Sequence, residues 1–363
     1  MDLKAIYLTT LERCAPDVLV REHVHPSMPR HVVAIGKCAG ALLDGVARVL
    51  EIESAFVAIP EGYRLPKTPA EVHVGGHPHM TEASFAAGRA LLAYVDAHED
   101  LLFLVSGGGS ACVEVPLAPY TEADVAEANA RLIASGMTIG AINAERRTRS
   151  AIKGVRLRER VRGRAVTLVY SDVATGALAD VASGPTYREE ESVLVADNRT
   201  LVRTAAQIIG DKAVVVDDQL EGSVLESARV LAARARGLEE GQILVAGGEP
   251  TVVVRGNGRG GRCSELAVHF ASESPLEALF AASDGVDGNS GVAGFHLPRR
   301  TTAGVPPETG AALASSDTYA IATQLGEPIT IAPTGNNLRD LFLIARFQAH
   351  DSQASATVNP SSR

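Results

Sequence analysis

TVVVRGNGRGGRCSELAV, residues 251–268, runs from a β-branched stretch through four glycines and two arginines into a segment with helical periodicity. The spacing predicts strand, anion-binding loop, helix. Gly256, Gly258, Gly260 and Gly261 free the backbone to take positive φ and to turn N–H groups toward a ligand. Arg259 and Arg262 add fixed positive charge beside the positive end of the helix dipole. Such a loop suits a phosphate or a carboxylate. Two other readings stay open on these residues alone. One is a glycine-rich hairpin turn with solvated arginines. The other is a dinucleotide fingerprint, because Gly256, Gly258 and Gly261 satisfy G-x-G-x-x-G and Asp284 closes the next apolar run near the place of a ribose-binding acid.

Outward from this stretch, short apolar runs alternate with helical patterns. HVVAIG (31–36), AFVAIP (55–60), EVHVGG (71–76), LLFLV (101–105) and AVTLVY (165–170) read as strands, mostly apolar on both faces as in a parallel sheet. Helices are expected over 2–20, after Gly36, from Thr81 as N-cap, across the polar region 121–160, and near 192–209 and 221–236. KAVVVDD (212–218), QILVAGG (242–248), the run at 277–283 and PITIAP (328–333) continue the alternation, with a helix at 311–325 and a closing turn in TGNNLRDLFLIA (334–345). The fold class is α/β: a Rossmann-like N-terminal domain with a mostly parallel sheet, residues 1–236, and a smaller α/β domain, 237–348. The division is expected in RGLEEGQ (236–242), and 349–363 has the composition of a disordered tail.

The bulk chemistry narrows the partners. At 363 residues with 46% hydrophobic content the chain can bury two substantial cores. A net charge of −9 argues against general nucleic-acid binding, which needs a basic surface, while leaving room for local basic pockets. No apolar run reaches membrane-span length, and MDLKAIYLTTLERC lacks the apolar core of a signal peptide, so a cytoplasmic protein acting on a small molecule is expected, as monomer or homodimer. Cys14, Cys38, Cys112 and Cys263 form no C-x-x-C pair, which speaks against disulfides and cysteine zinc sites.

Several loops carry chemistry. Lys37 follows Gly36 at the carboxyl edge of a strand, where open α/β sheets place ligands. Ser106, Gly107, Gly108, Gly109 and Ser110 follow another strand, and their N–H groups suit a phosphate nest. Asp172 stands just past a third as a candidate magnesium ligand or base, although capping a turn is the commoner fate of a lone aspartate, and Asp284 and Asp287 lie in the loop past a fourth.

Taken in order, GKCAGAL (36–42), GGHP (75–78), SGGGSA (106–111), IKG (152–154), SDV (171–173), ASGPT (182–186), GGEPTV (247–252), GRGGR (258–262), SDGVDG (283–288) and TGNNLRDL (334–341) resemble the glycerate 2-kinase family of the MOFRL type, whose members also carry the name hydroxypyruvate reductase. The resemblance spans most of the chain. It implies phosphoryl transfer from ATP to the 2-hydroxyl of D-glycerate in a cleft between the two domains, without a Walker-type loop. That chemistry needs cations on the moving phosphoryl group, magnesium held by carboxylates, and a group that orients the hydroxyl. By resemblance, Lys37, Arg259 and Arg262 serve phosphate or substrate carboxylate, the loop from Ser106 to Ser110 and Gly258, Gly260 and Gly261 hold the nucleotide with Asn337 nearby, and Asp172, Asp284 and Asp287 serve magnesium or the hydroxyl.

The chain departs from the family pattern at Arg147 to Arg149, at Gly176-Ala177, at Cys263-Ser264, at Gly291 and at Asn336. These departures fall on loops that the resemblance assigns to substrate, which points to divergence in the acceptor. Two other function classes compete: an NAD(P)-dependent hydroxypyruvate reductase, on the strength of G-x-G-x-x-G, and a nucleotide- or anion-binding relative without turnover.

Overall fold

A computed structural model of the chain describes residues 1–174 and 177–347. The expected tail, 349–363, and Gly176 lie outside the described residues. β1 (His31–Ile35), β2 (Ser54–Pro60), β3 (Glu71–Gly75), β4 (Leu101–Ser106), β5 (Ala165–Tyr170) and β6 (Ser192–Ala196) form one sheet in the order β3-β2-β1-β4-β5-β6. Every adjacent pair is parallel, as the apolar strands predict. This is the doubly wound order, and it reverses between β1 and β4, so the loops after these strands open side by side at the carboxyl edge. There the Lys37 N–H donates to the Gly107 carbonyl at 2.8 Å. Gly36 sits between them at φ 108°, and a Cβ on it would lie 2.3 Å from the Ser106 carbonyl oxygen. Only glycine permits that crossing.

The second sheet is built from β7 (Ala213–Val215), β8 (Ile243–Gly248), β9 (Glu277–Ala282), β10 (Gly294–Leu297), β11 (Glu327–Ile329) and β12 (Asp340–Ala345), in the order β11-β10-β9-β12-β8-β7. Only β7 and β8 pair in parallel; the other pairs are antiparallel. The sheet therefore takes its edge strand from ahead of the expected division at 236/237. The glycines and charges of 236–242 mark a helix-to-strand turn inside this unit.

Several expected elements change. SVLVA (192–196) opens no helix; it is the edge strand β6, and the helix that follows is Asn198–Ile209, with an Asp197 side chain accepting from the Thr200 N–H. DLFLIA, expected within a turn, is β12, fully buried between β8 and β9. The helix expected at 311–325 is two, Thr309–Ala314 and Thr318–Leu325, separated by Ser316 at φ 56°. TVVV forms no strand: Thr251 makes one isolated bridge to Ser223, while Val253 and Val254 are 72% and 74% exposed. β-Branched residues favour a strand when a neighbouring strand and a packed face receive them, and here neither does.

One core joins the two sheets. Leu3, Tyr7 and Leu11 of the N-terminal helix Leu3–Arg13 pack in a single buried cluster with Val32 and Leu104 of the first sheet and Leu279 and Leu343 of the second. Full burial of each such side chain contributes about 1.5–3 kcal/mol. Polar bonds fix the join: the Tyr7 hydroxyl donates to the Ala282 carbonyl at 2.7 Å, the Tyr170 hydroxyl meets Cys14 O at 2.8 Å, and Asn336 Nδ2 donates to Leu11 O at 3.2 Å. The carboxyl edge of the first sheet is thereby held against the loops of the second.

Candidate functional site

At that junction lies a cavity of about 250 Å3 lined by Lys37 and Asp172 from the first domain and Glu249, Arg262, Asp284, Asn337, Arg339 and Asp340 from the second. Five of the residues singled out in the sequence, Lys37, Asp172, Arg262, Asp284 and Asn337, thus meet in one chamber although 300 positions separate Lys37 from Asn337. Asp172 follows β5, and its carboxylate accepts from Asn337 Nδ2 at 2.9 Å. A Cβ on Gly107 would fall 1.6 Å from Asp172 Oδ2, so the bare glycine backbone is what lets the carboxylate sit there. Lys37 Nζ stands 5.6 Å from the centre of the Tyr63 ring. Burial works to lower the lysine pKa, but Tyr63, Asp172 and Asp284 outweigh it and the net shift is upward, so the ammonium is charged. Burial raises the pKa of Asp284, whose Oδ1 accepts from the Val286 N–H at 2.9 Å.

Three residues of the chamber were not among the candidates. Asp340 is fully buried and pairs with Arg262 at 3.1 Å, and this carboxylate is the main reason that the arginine pKa is raised. Glu249 bridges Arg262 at 3.0 Å and Arg339 at 3.2 Å, and burial pushes its pKa upward. Arg339, held at φ 65°, also donates to the Asp172 carbonyl at 3.0 Å and pairs with Glu221, so one side chain ties the two domains across the cavity. The strings GGEP and TGNNLRDL contain Glu249, Arg339 and Asp340, but an ion-pair network between distant loops has no spacing signal in sequence.

The opening stretch behaves differently from its reading. None of Gly256, Gly258, Gly260 and Gly261 has positive φ. Their need for glycine is close approach: a Cβ on Gly258 would lie 2.5 Å from the Asp317 backbone nitrogen, and one on Gly260 would lie 2.3 Å from Thr318 Oγ1. The loop is packed onto the break between the two helices of 309–325. Arg259 lies over the Tyr319 ring at 3.6 Å and donates through Nε to the Ser290 carbonyl at 2.7 Å, so its guanidinium is held within the second domain. Arg262, the first residue of the helix Arg262–Glu273, does reach the chamber.

Asp287 has a structural use. Its two oxygens accept from the Cys263 and Ser264 N–H groups at 2.8 and 2.9 Å, which caps that helix, and burial pushes its pKa up to about 6. It does not line the chamber. Ser106 is likewise committed inward: its hydroxyl accepts from the Cys38 N–H at 3.0 Å and donates to the Ile35 carbonyl at 3.2 Å. Gly107, Gly108 and Ser110 line a second recess, while Gly109 is packed against Ile35 and Ala182.

This second recess, about 390 Å3, shares Asp172, Glu249 and Arg339 with the chamber and is walled by His77, Ile142, Asn143 and Arg146. Burial, Lys37 and Arg146 together push the His77 pKa down to about 4, so its imidazole is neutral. A third, larger cleft of about 840 Å3 shares Glu249, Arg262 and Arg339 and runs past Thr251, Val252, Gly258 and Gly261. Three recesses therefore converge on one charged junction.

The residues fit magnesium in part. Three cations in the chamber, Lys37, Arg262 and Arg339, face four carboxylates, Asp172, Glu249, Asp284 and Asp340. An excess of negative charge suits a divalent cation arriving with a polyphosphate, and magnesium is commonly held by one or two carboxylates plus phosphate oxygens. Asp172 and Asp284 each keep an oxygen without a protein hydrogen bond among the described residues, so either can serve. Asp287 does not fit, since both of its oxygens are spent on the helix cap. No group of three or more His, Cys, Asp or Glu side chains among the described residues forms an all-protein cage. The four cysteines are all buried and unpaired.

Residues 2–209 match the family model of the domain of unknown function DUF4147, and residues 242–340 match that of the MOFRL family. The chain is 25% identical to the glycerate 2-kinase of Sulfurisphaera tokodaii over 90% of this chain and 92% of that protein. It is 28% identical to the D-glycerate 2-kinase of Thermotoga maritima, over 92% and 95%. A putative hydroxypyruvate reductase of Agrobacterium vitis is 29% identical, over 93% and 92%. The crystal structure of the glycerate kinase of Thermotoga maritima superposes with a TM-score of 0.82 at 27% identity, covering 94% of this chain and 98% of that one. Among the described residues no helix is long and apolar enough to cross a membrane.

Proposed function

This chain belongs to the DUF4147 and MOFRL family, and we propose from that premise that it is an ATP-dependent kinase that phosphorylates the 2-hydroxyl of D-glycerate. The observation that carries the reading is the convergence of Lys37, Arg262 and Arg339 with Asp172 and Asp284 in one cavity between the domains. Phosphoryl transfer is chiefly a matter of positioning and charge neutralisation, and this chamber supplies cations on one side and carboxylates on the other.

Lys37 and Arg262 neutralise the transferring phosphoryl group. Arg262 is held for this by Asp340 and Glu249, while Lys37 is held by its backbone bond to Gly107. Asp284 accepts the proton of the acceptor hydroxyl as the new O–P bond forms and the bond between the γ-phosphorus and the β-phosphate oxygen breaks; its raised pKa favours that role. Asp172, oriented by Asn337, is the residue that would hold the magnesium accompanying the nucleotide. Bound with ATP, magnesium supplies charge neutralisation at the β- and γ-phosphates. The nucleotide occupies the 840 Å3 cleft and the three-carbon acid the 390 Å3 recess. A cytoplasmic enzyme, monomeric or dimeric, fits this reading.

Two of the sequence departures weigh less against glycerate than their positions in the motifs suggest. Cys263 and Ser264 are buried, and Ser264 Oγ is taken up by the Gly261 backbone and Thr318. Asn336 spends its side chain on Tyr170 and Leu11. The reductase reading loses its footing too, since G-x-G-x-x-G begins eight residues after β8 ends and no strand leads into it. One assay decides: the purified protein with D-glycerate and magnesium-ATP releases ADP, whereas NADH consumption with hydroxypyruvate and no ADP would reject the proposal.

A further inference from the structure

The helix Ile139–Arg149 carries three arginines in its last turn, and two of them have acid partners. Arg147 pairs with Asp180 at 2.6 Å and Arg149 with Glu145 at 3.0 Å. Arg146 is the exception: among the described residues no carboxylate lies within ion-pair distance of it. Its guanidinium is instead gripped by two neutral amides, donating through Nε to Asn129 Oδ1 at 2.9 Å and through Nη1 to Asn143 Oδ1 at 3.3 Å.

Both amides are buried and locked from behind. Asn129 Nδ2 donates to the Pro78 carbonyl at 3.3 Å, Asn143 Nδ2 donates to the Asp180 carbonyl at 3.0 Å, and Ser183 Oγ donates to Asn143 Oδ1 at 2.9 Å. Ser183 Oγ is in turn 2.7 Å from Ser110 Oγ. The network fixes where the guanidinium sits and leaves it without a carboxylate at ion-pair distance, Glu114 acting on it only from further off and itself paired with Lys153. An arginine has five N–H donors, of which two are used here, and the side chain lines the 390 Å3 recess beside the neutral His77. A half-buried cation with no ion-pair partner, held rigidly at the wall of a cavity whose carboxylates Asp172, Asp180 and Glu249 are bonded to other groups, is arranged for a ligand that brings negative charge.

We infer that Arg146 binds an anionic oxygen group of the bound small molecule, and that this group is the carboxylate of the phosphoryl acceptor. The assignment to the acceptor rests on the kinase reading above and on the size of the recess; a nucleotide phosphate has the same oxygen chemistry and is the competing source. Arg146 is thereby a specificity-determining residue, selecting hydroxy acids over neutral polyols of the same length.

Steady-state kinetics on Arg146→Met, which keeps the length and removes the charge, test this. The KM for D-glycerate rises about 30-fold or more while the KM for ATP stays within about threefold and kcat within about fivefold. Arg146→Lys, which retains a charge without the planar fork, recovers part of the loss and replaces the methionine variant if that one does not fold. A rise in the KM for ATP with that for D-glycerate unchanged would make the nucleotide phosphate the occupant and overturn the acceptor assignment. Unchanged values for both in a folded variant overturn the site. If the wild-type protein phosphorylates no D-glycerate, calorimetric titration with D-glycerate and with inorganic phosphate separates the two ideas. Binding heat that vanishes in Arg146→Met keeps the anion site while the kinase reading falls, and no heat from either ligand in wild type removes the site.

Discussion

Asn337 Nδ2 donates to Asp172 Oδ2 at 2.9 Å, which joins a turn of the second domain to the end of β5 in the first. The bond sits in the wall of the chamber, so whatever orients Asp172 also sets the distance between the two halves of the site.

Removing that bond costs orientation. Asn337→Ala is expected to lower kcat/KM for ADP formation about 10- to 100-fold, the range of one hydrogen bond to a charged group. The thermal midpoint changes little, because the bonds of Tyr7 to Ala282 and of Asn336 to Tyr170 and Leu11 hold the domains together independently. Wild-type kinetics for this variant would remove Asp172 from the reaction.

Lys37 and Arg262 separate catalysis from stability. Lys37→Met is expected to reduce kcat by about 100-fold or more at nearly unchanged stability, since no carboxylate lies within ion-pair distance of it among the described residues. Arg262→Ala strands the fully buried Asp340 and is expected to cost about 3–5 kcal/mol in urea unfolding as well as activity. In Arg262→Ala/Asp340→Asn, stability returns and activity does not. A double variant with restored turnover would make Arg262 a purely structural residue.

The Asp287 cap carries a pH signature. Its folded pKa, about 6, lies above the ordinary carboxylate value near 3.8, so the folded chain binds the extra proton and the associated stability is full below the unfolded pKa and lost as pH rises through about 6. Relative to Asp287→Asn, wild type is expected to lose about 2 kcal/mol between pH 4.5 and pH 7.5. Urea denaturation at the two pH values measures the difference, and a difference that stays constant refutes the assignment.

Two glycine substitutions have opposite signs. Gly258→Ala places a Cβ 2.5 Å from the Asp317 backbone and is expected to destabilise the fold by about 1–3 kcal/mol. Gly310→Ala, in the helix Thr309–Ala314 with open space around it, is expected to stabilise by about 0.5–1 kcal/mol. Chemical denaturation of both variants checks the pair.

Apolar runs and their bounding glycines were enough to read the first sheet, because a parallel strand buried on both faces announces itself by an unbroken run such as Val32 to Ile35. They were also enough to place Lys37, Asp172 and Asp284 at the carboxyl ends of strands. Local pattern misled where burial came from distant chain: β12 is a central strand because β8 and β9 receive it, and TVVV is a loop because nothing does.

The loop at 251–268 shows the same division. Its sequence determined that an arginine would stand at the start of the helix Arg262–Glu273, while the positive φ it led one to expect at the glycines is absent. Only the tertiary structure decided that the close neighbours of its glycines are Ser315, Asp317, Thr318 and Asp287. Of its two arginines, Arg259 is spent on Tyr319 and Ser290, and Arg262 reaches the chamber. The physical reason is that a charge has a function only relative to its partners, and the partners here, Glu249, Arg339 and Asp340, are supplied by loops that folding brings together.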